Sequence, residues 1–128
     1  MRKDRARGFT LIELLVVMAV VALLLAIAAP RYFGSVDNAR EVALKQNLAT
    51  MRDAIDKFHG DRGVYPESLE ALVEKRYLRA VPVDPITETA ASWRIVAPPE
   101  QEKEKGKVYD VKSGATGQGR DGTQFAEW

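Results

Sequence analysis

An apolar run of 21 residues limits what this chain can fold into more than any other feature of its sequence. From Phe9 to Ala29 the run is interrupted only by Thr10 and Glu13. As a helix it would be about 31 Å long, close to the ~30 Å hydrocarbon core of a bilayer. A helix in a soluble core has a polar face at 3.6-residue spacing, and residues 14–29 have none. The run therefore predicts a membrane-inserted helix.

The charges around the run predict its orientation. Residues 1–8 carry four basic side chains and one acidic side chain, although the whole chain has a net charge of only +1. Basic residues next to a membrane span stay on the cytoplasmic side, so the residues after the run are expected across the membrane. Beyond residue 8 the basic and acidic side chains alternate, which argues against a nucleic-acid-binding surface.

Two ordinary targeting segments are alternatives for this run. A secretory signal peptide has a shorter apolar region of 7–15 residues, although Ala26, Ala28 and Ala29 are small residues of the kind found at its cleavage site. A simple signal anchor is the other alternative. Neither gives Glu13 a role, and an acidic side chain at the centre of a membrane helix costs roughly 2.5–3.5 kcal/mol.

The residues at the start of the run resemble a known processing signal. Gly8-Phe9-Thr10-Leu11-Ile12-Glu13, between a basic leader and an apolar helix, is similar to the signature of the type IV prepilins. The resemblance implies that a membrane prepilin peptidase cleaves between Gly8 and Phe9 and methylates the new amino group of Phe9. Residues 1–8 would then be a cleaved leader peptide.

The same resemblance implies a division of the remaining chain. Residues 9–30 would form a transmembrane helix that becomes the core of a filament, and residues 31–128 a pilin-like globular domain in the periplasm. Pro30 cannot donate a backbone hydrogen bond, and Gly34 follows it closely. We therefore expect a kink in the helix near Pro30 and Gly34.

Glu13 has a physical role in this family. Ions in a low-dielectric layer need a partner of opposite charge. The resemblance implies that Glu13 neutralises the amine of Phe9 in a neighbouring subunit, which favours assembly and sets the axial step between subunits. The alternative is a carboxylate that is protonated in the membrane or that faces the interface near the helix end.

The residues after the run predict a small α+β domain. Apolar residues at steps of four and three predict an amphipathic helix that ends at Gly60 and Gly63: Leu44, Leu48, Met51, Ile55 and Phe58. Residues 65–78 predict a short second helix, and residues 92–96 and 107–111 predict two strands joined by a charged turn. The predicted fold is a long N-terminal helix packed on a short helix and a small antiparallel β-sheet.

The second half of the chain narrows the resemblance. The stretches "GVYPESLEALVEKRYL", "PVDP" and "VYDVKSGATGQGRDG", together with Trp128, look like the major pseudopilin of type II secretion systems, pseudopilin G. This implies a subunit of a helical filament, the pseudopilus, that drives the export of folded proteins across the outer membrane of a bacterium. The implied partners are further copies of the chain, minor pseudopilins, the prepilin peptidase and an inner-membrane assembly platform.

Two other functions remain open at this point. One is a type IV pilus pilin for adhesion, motility or DNA uptake. The other is a signal-anchored periplasmic enzyme or binding domain. Chemistry has little support in the residues, because the chain has no cysteine and a single histidine, His59, and contains no nucleophile elbow, phosphate loop or metal-binding helix motif. His59 is interpreted as a helix C-terminal residue, and the chain is expected not to be an enzyme.

The glycine-rich loop 113–122 has little apolar area to offset its ordering entropy. Pseudopilin G binds calcium in this loop, so the resemblance implies a calcium site. The candidate ligands are Asp121, Asp110, Ser113 and Thr116. Thr116 stands where the family usually has an aspartate, because the family's "GADG" is here "GATG". Hydrogen bonds and packing of Trp128 are the alternative means of holding the loop.

Overall fold

The computed structural model describes residues 8–128, so the predicted leader lies outside it except for Gly8. The elements are, in chain order, α1 (Leu11–Arg62), α2 (Leu69–Glu74), β1 (Arg94–Val96), a 3-10 helix (Glu100–Lys105), β2 (Asp110–Lys112) and a second 3-10 helix (Phe125–Glu127). The chain divides into two compact units, one up to Asp37 and one from Asn38 to Trp128. The predicted boundary at residue 30 and the predicted kink at Pro30 and Gly34 stay predictions.

The long helix α1 includes Pro30 and contains 52 residues. Its end was predicted at Gly60 and Gly63, but Gly60 is still helical and the last helical residue is Arg62. Gly63 has a φ of +70°, and its N–H donates to the carbonyl of His59 at 2.8 Å. A left-handed glycine directly after a helix is the usual way to end it, so Gly63 is the stop.

The core of the unit from Asn38 to Trp128 is built on one face of α1. The predicted stripe is buried and meets apolar side chains from the rest of this unit, chiefly Leu69, Leu72, Leu78, Trp93, Val108, Val111 and Phe125. Residues spaced by three and four lie on one side of a helix, which explains why this stripe was visible in the sequence.

The helix α2 and the sheet complete this unit. Ser68 caps α2, because its hydroxyl accepts the N–H of Ala71 at 3.1 Å, as expected for a serine at this position. The strands β1 and β2 are antiparallel, with Ile95 opposite Val111. The predicted α+β class is thereby confirmed.

Both strands begin later than predicted, β1 at Arg94 and β2 at Asp110, and β2 also continues one residue further, to Lys112. A tertiary contact explains the late start of β2. The N–H of Val108 donates to the carbonyl of Pro66 at 2.9 Å, so the chain pairs with β1 only from Tyr109 and Asp110 onward. The charged turn between the strands contains a 3-10 helix, in which Lys103 pairs with Glu100 at 2.6 Å.

A core substitution tests this packing. Leu48 is 1% exposed, and Leu48→Ala is expected to lower the free energy of unfolding by about 2–5 kcal/mol because it leaves a cavity. The measurement is urea unfolding of the full chain in detergent. Val42→Ala, at a position that is 59% exposed, is the matched control and should change stability little. Equal effects of the two substitutions would contradict the assigned core.

Candidate functional site

Thr10 immediately precedes α1 and is hydrogen-bonded to Glu13. The N–H of Glu13 donates to Thr10 Oγ1 at 3.1 Å, and the N–H of Leu14 donates to the Thr10 carbonyl at 3.1 Å. Thr10 is therefore the N-cap, and Glu13 occupies the third helical position. This role of Thr10 was not predicted, although Thr-x-x-Glu ahead of an apolar run is the sequence signal for such a cap.

The position of Glu13 gives its carboxylate one favourable interaction within the subunit. It lies in the first turn of α1, where the helix dipole stabilises a negative charge by about 0.3–1 kcal/mol at an exposed site. An acid inserted at a membrane helix centre costs roughly 2.5–3.5 kcal/mol. Glu13 lies near the end of the apolar run rather than at its centre, so its cost is smaller than this, and the helix dipole offsets part of it.

The apolar part of α1 is uncovered in the described chain. The large apolar side chains from Phe9 to Ile27 are between 46% and 88% exposed. By length and composition, α1 is the one helix among residues 8–128 that could cross a membrane. An apolar surface of this size is far larger than soluble monomers expose. It requires lipid or other copies of the chain as its surroundings.

Two of the predicted calcium ligands, Asp110 and Ser113, lie in or next to β2. Asp110 Oδ1 accepts hydrogen bonds from Arg52 Nε at 2.9 Å and from the N–H of Val111 at 2.8 Å. The Ser113 hydroxyl is buried and donates to Asp84 Oδ2 at 2.6 Å. Both side chains are thus engaged by protein groups.

The other two predicted ligands, Thr116 and Asp121, are exposed. Asp121 Oδ1 accepts the N–H of Thr123 at 3.0 Å and its hydroxyl at 2.6 Å. These two hydrogen bonds lower the pKa of Asp121 below its usual value, and the bond from the hydroxyl has the larger effect. They do so because they stabilise the charged carboxylate.

As arranged, these residues do not fit a calcium ion. Calcium takes six to eight oxygen ligands, among them carboxylates. Of the four candidates, Asp110 is paired with the guanidinium of Arg52, and the Ser113 hydroxyl donates a buried hydrogen bond to Asp84. No group of three or more His, Asp or Glu side chains within residues 8–128 could hold a metal. Calcium binding stays a prediction.

His59 lies in the last turn of α1. Its ring stacks on Tyr65 with centroids 4.2 Å apart, and its Nε2 is buried without a hydrogen-bond partner among the described residues. Both rings line an open cavity of about 430 Å³, together with Arg52, Asp56, Tyr109 and Asp110. These side chains include no Ser, Thr, Cys or Lys nucleophile beside a base, the arrangement that covalent catalysis uses.

The N-terminal residues match a known motif. Residues 3–29 fit the family model of the prokaryotic N-terminal methylation motif. The matched stretch contains Gly8, Phe9 and Glu13 and the whole apolar run. The resemblance to the type IV prepilin signature is therefore confirmed.

Most of the chain is similar to the type II secretion system core protein G of several bacteria. The Klebsiella michiganensis protein is 26% identical over 91% of this chain and 89% of its own length. The Pseudomonas aeruginosa protein is 32% identical over 66% of this chain and 71% of its own length. This chain belongs to the core protein G family. The resemblance to pseudopilin G is confirmed.

A fimbrial protein is also among the relatives of this chain. Fimbrial protein EcpC of Eikenella corrodens is 32% identical over 65% of this chain and 58% of its own length. No solved structure matches the chain. Family membership, the methylation motif and the apolar helix together identify a membrane-anchored, pilin-like structural subunit.

The two hydrogen bonds from Thr123 to Asp121 predict a contribution to stability that depends on pH. A carboxyl group with a lowered pKa adds stability above its unfolded pKa of 3.8, and this stability is lost as the pH falls through the folded pKa. Thr123→Val should raise the pKa of Asp121 towards 3.8 and remove that acid-sensitive contribution. The measurement is an NMR titration of the side-chain carboxyl carbons. Thr116→Val, which removes another exposed hydroxyl of the loop, is the control; an unmoved Asp121 pKa in Thr123→Val would contradict the assignment.

Proposed function

We propose that this chain is cleaved after Gly8, methylated at Phe9 and assembled into a helical pseudopilus that drives folded proteins across the outer membrane. The observation that carries the proposal is the combination of the Gly8-Phe9 junction and Glu13 with an apolar helix surface that the described chain leaves uncovered. Such a helix needs lipid before assembly and other copies of itself afterwards.

Glu13 makes this assembly specific. Cleavage at Phe9 would create a cationic amine at the edge of the same apolar surface that contains the acid. Each ion alone is costly in a low-dielectric layer, and removing one partner of a buried pair costs about 3–5 kcal/mol. A subunit whose amine meets Glu13 of its neighbour relieves both costs. Packing of apolar helices alone has no such requirement, so the ion pair selects one axial register.

The residues that follow the apolar run support the proposed end of the membrane span. Arg31, Tyr32 and Phe33 come after Pro30, and the two rings are 67% and 65% exposed. Tyrosine is enriched where a membrane helix meets water, at both faces of the bilayer, so these residues bear on the end of the span and not on its direction. The proposed direction rests on the basic leader, because basic residues stay on the cytoplasmic side. In this proposal residues 31–33 lie at the outer face of the inner membrane, and the globular unit lies in the periplasm.

The globular unit would coat the filament. Most of its large apolar residues are in its own core, and some of its exposed charges pair locally, as Lys57 does with Asp53 at 2.9 Å. Its work in this proposal is structural rather than catalytic. Minor pseudopilins and the inner-membrane assembly platform would be its partners, in addition to further copies of the chain.

A type IV pilus pilin is the second candidate, and similarity to Fimbrial protein EcpC favours it. The alignments with the core protein G relatives cover a larger share of those proteins' length than the alignment with EcpC does. This favours the pseudopilin function in secretion. Deletion of the gene separates the two: retention of exoproteins in the periplasm is expected for a pseudopilin, whereas loss of surface pili with normal secretion would overturn the secretion function.

The proposed cleavage and methylation predict the mass of the mature protein. The protein purified from cell membranes should lack residues 1–8 and carry one extra methyl group, because the Gly8-Phe9 junction matches the peptidase signal. Intact-mass measurement checks this, and the protein from a strain without the peptidase is the control. An uncut Met1, or cleavage near Ala29, would contradict the prepilin function.

The proposed pairing of Glu13 predicts an assembly defect when its carboxylate is removed. Glu13→Ala should leave the protein stably inserted but strongly reduce its entry into filaments, because the amine of the neighbour loses its counter-ion. Sheared-filament yield at matched membrane levels is the measurement. Asp37→Ala, which removes an exposed acid of the same helix outside the apolar run, should assemble normally. Normal assembly of Glu13→Ala would exclude the pairing.

A further inference from the structure

The segment from Ser113 to Trp128 must be held in place by something other than apolar burial. Four of its residues are glycine, and it contributes only Ala115 and Phe125 to the buried core. Ordering each residue costs about 1–2 kcal/mol of backbone entropy. Specific bonds are therefore needed to keep this segment closed against α1 and β2.

Arg52 supplies three of those bonds from a single side chain. Its Nε donates to Asp110 Oδ1 at 2.9 Å, and its Nη2 donates to the carbonyl of Val111 at 3.0 Å and to the carbonyl of Trp128 at 2.6 Å. The guanidinium thus joins α1, β2 and the last residue. A planar group with five fixed donors can satisfy several acceptors at once, which an ammonium group cannot do equally well.

A buried pair closes the start of the segment. Asp84 and Ser113 are both 0% exposed. Asp84 Oδ2 accepts the Ser113 hydroxyl at 2.6 Å, and Asp84 Oδ1 accepts the N–H of Ile86 at 2.9 Å. Ser113 Oγ in turn accepts the N–H of Ala115 at 3.1 Å. A buried carboxylate needs such donors, and here the protein provides them.

Trp128 closes the far end. Its indole N–H donates to Thr123 Oγ1, and the hydroxyl of Thr123 donates to Asp121 Oδ1, each at 2.6 Å. The ammonium of Lys45 lies 4.5 Å from the centre of the indole ring, a cation–π contact. The ring also lies so close to Gly119 that a Cβ there would collide with it.

We propose that Arg52 takes the place of the calcium ion that the family resemblance predicts, so that this subunit folds and assembles independently of calcium. A divalent ion at Asp110 would have to displace the guanidinium or lie beside a like charge. The bonds of Arg52, Asp84 and Trp128 together perform the task of closing the segment. This inference concerns how the subunit is held together and does not depend on which machine the filament serves.

The wild-type full chain in detergent provides the first test. Its melting temperature should be the same with millimolar calcium as with a chelator, and calcium titration calorimetry should show no saturable binding. A calcium-dependent rise in melting temperature that disappears in Asp121→Ala would overturn the proposal. This readout involves neither filaments nor secretion, so its failure is distinguishable from failure of the proposed function.

Arg52→Gln provides the second test. It should lower the melting temperature by about 4–8 °C, the shift expected for a loss of about 1 kcal/mol in a domain of this size, equally with calcium and with chelator. Arg94→Gln, at an exposed arginine of β1, is the matched control and should shift it little. Equal melting temperatures of the two variants would overturn the role of Arg52.

A third test applies if Arg52→Gln does not fold. Asp110→Asn keeps the shape of the side chain and removes only the charge that Arg52 pairs with. It should lower the melting temperature in the same direction in calcium and in chelator. A loss that appears only in the presence of calcium would show Asp110 to be a calcium ligand and would overturn the proposal.

Discussion

The fold and the function both depend on one helix that has two different apolar surfaces. Between Leu44 and Phe58 the apolar side chains of α1 are buried by its own chain. Between Phe9 and Ile27 they are exposed in the described chain. The hydrophobic effect acts on both surfaces equally, so the second surface must be covered from outside. A subunit built in this way is incomplete by itself.

Charge within apolar surroundings is handled in two different ways. Asp84 is fully buried and receives its donors from Ser113 and Ile86 of the same unit. Glu13 lies within a surface that no described residue covers. A carboxylate with internal donors stabilises a closed fold, whereas a carboxylate on an uncovered surface favours a cation brought by another molecule. This difference is why the proposed pairing of Glu13 links subunits rather than parts of one subunit.

Local patterns in the sequence predicted the helices well and the strands less well. The stripe from Leu44 to Phe58 and the presence of α2 follow from apolar spacing, which depends only on neighbouring residues. The helix α2 (Leu69–Glu74) is nevertheless shorter than the predicted range 65–78. The start of β2 depends on the bond from Val108 to Pro66, about forty residues away in sequence, and no local pattern contains that information. The role of Arg52 was missed for the same reason, since its partners lie 58 to 76 residues further along.

The C-terminal segment illustrates a choice between two physical means of closing a glycine-rich loop. A bound ion stabilises a fold by an amount that grows with its free concentration relative to the dissociation constant. A side chain of the same chain has no such concentration dependence, although ordering an arginine side chain costs about 1.5–2 kcal/mol of rotamer entropy. With Arg52 next to the buried Met51 in α1, the segment closes whenever the core around Met51 forms. Stability of the segment is then coupled to the core rather than to the ion content of the compartment.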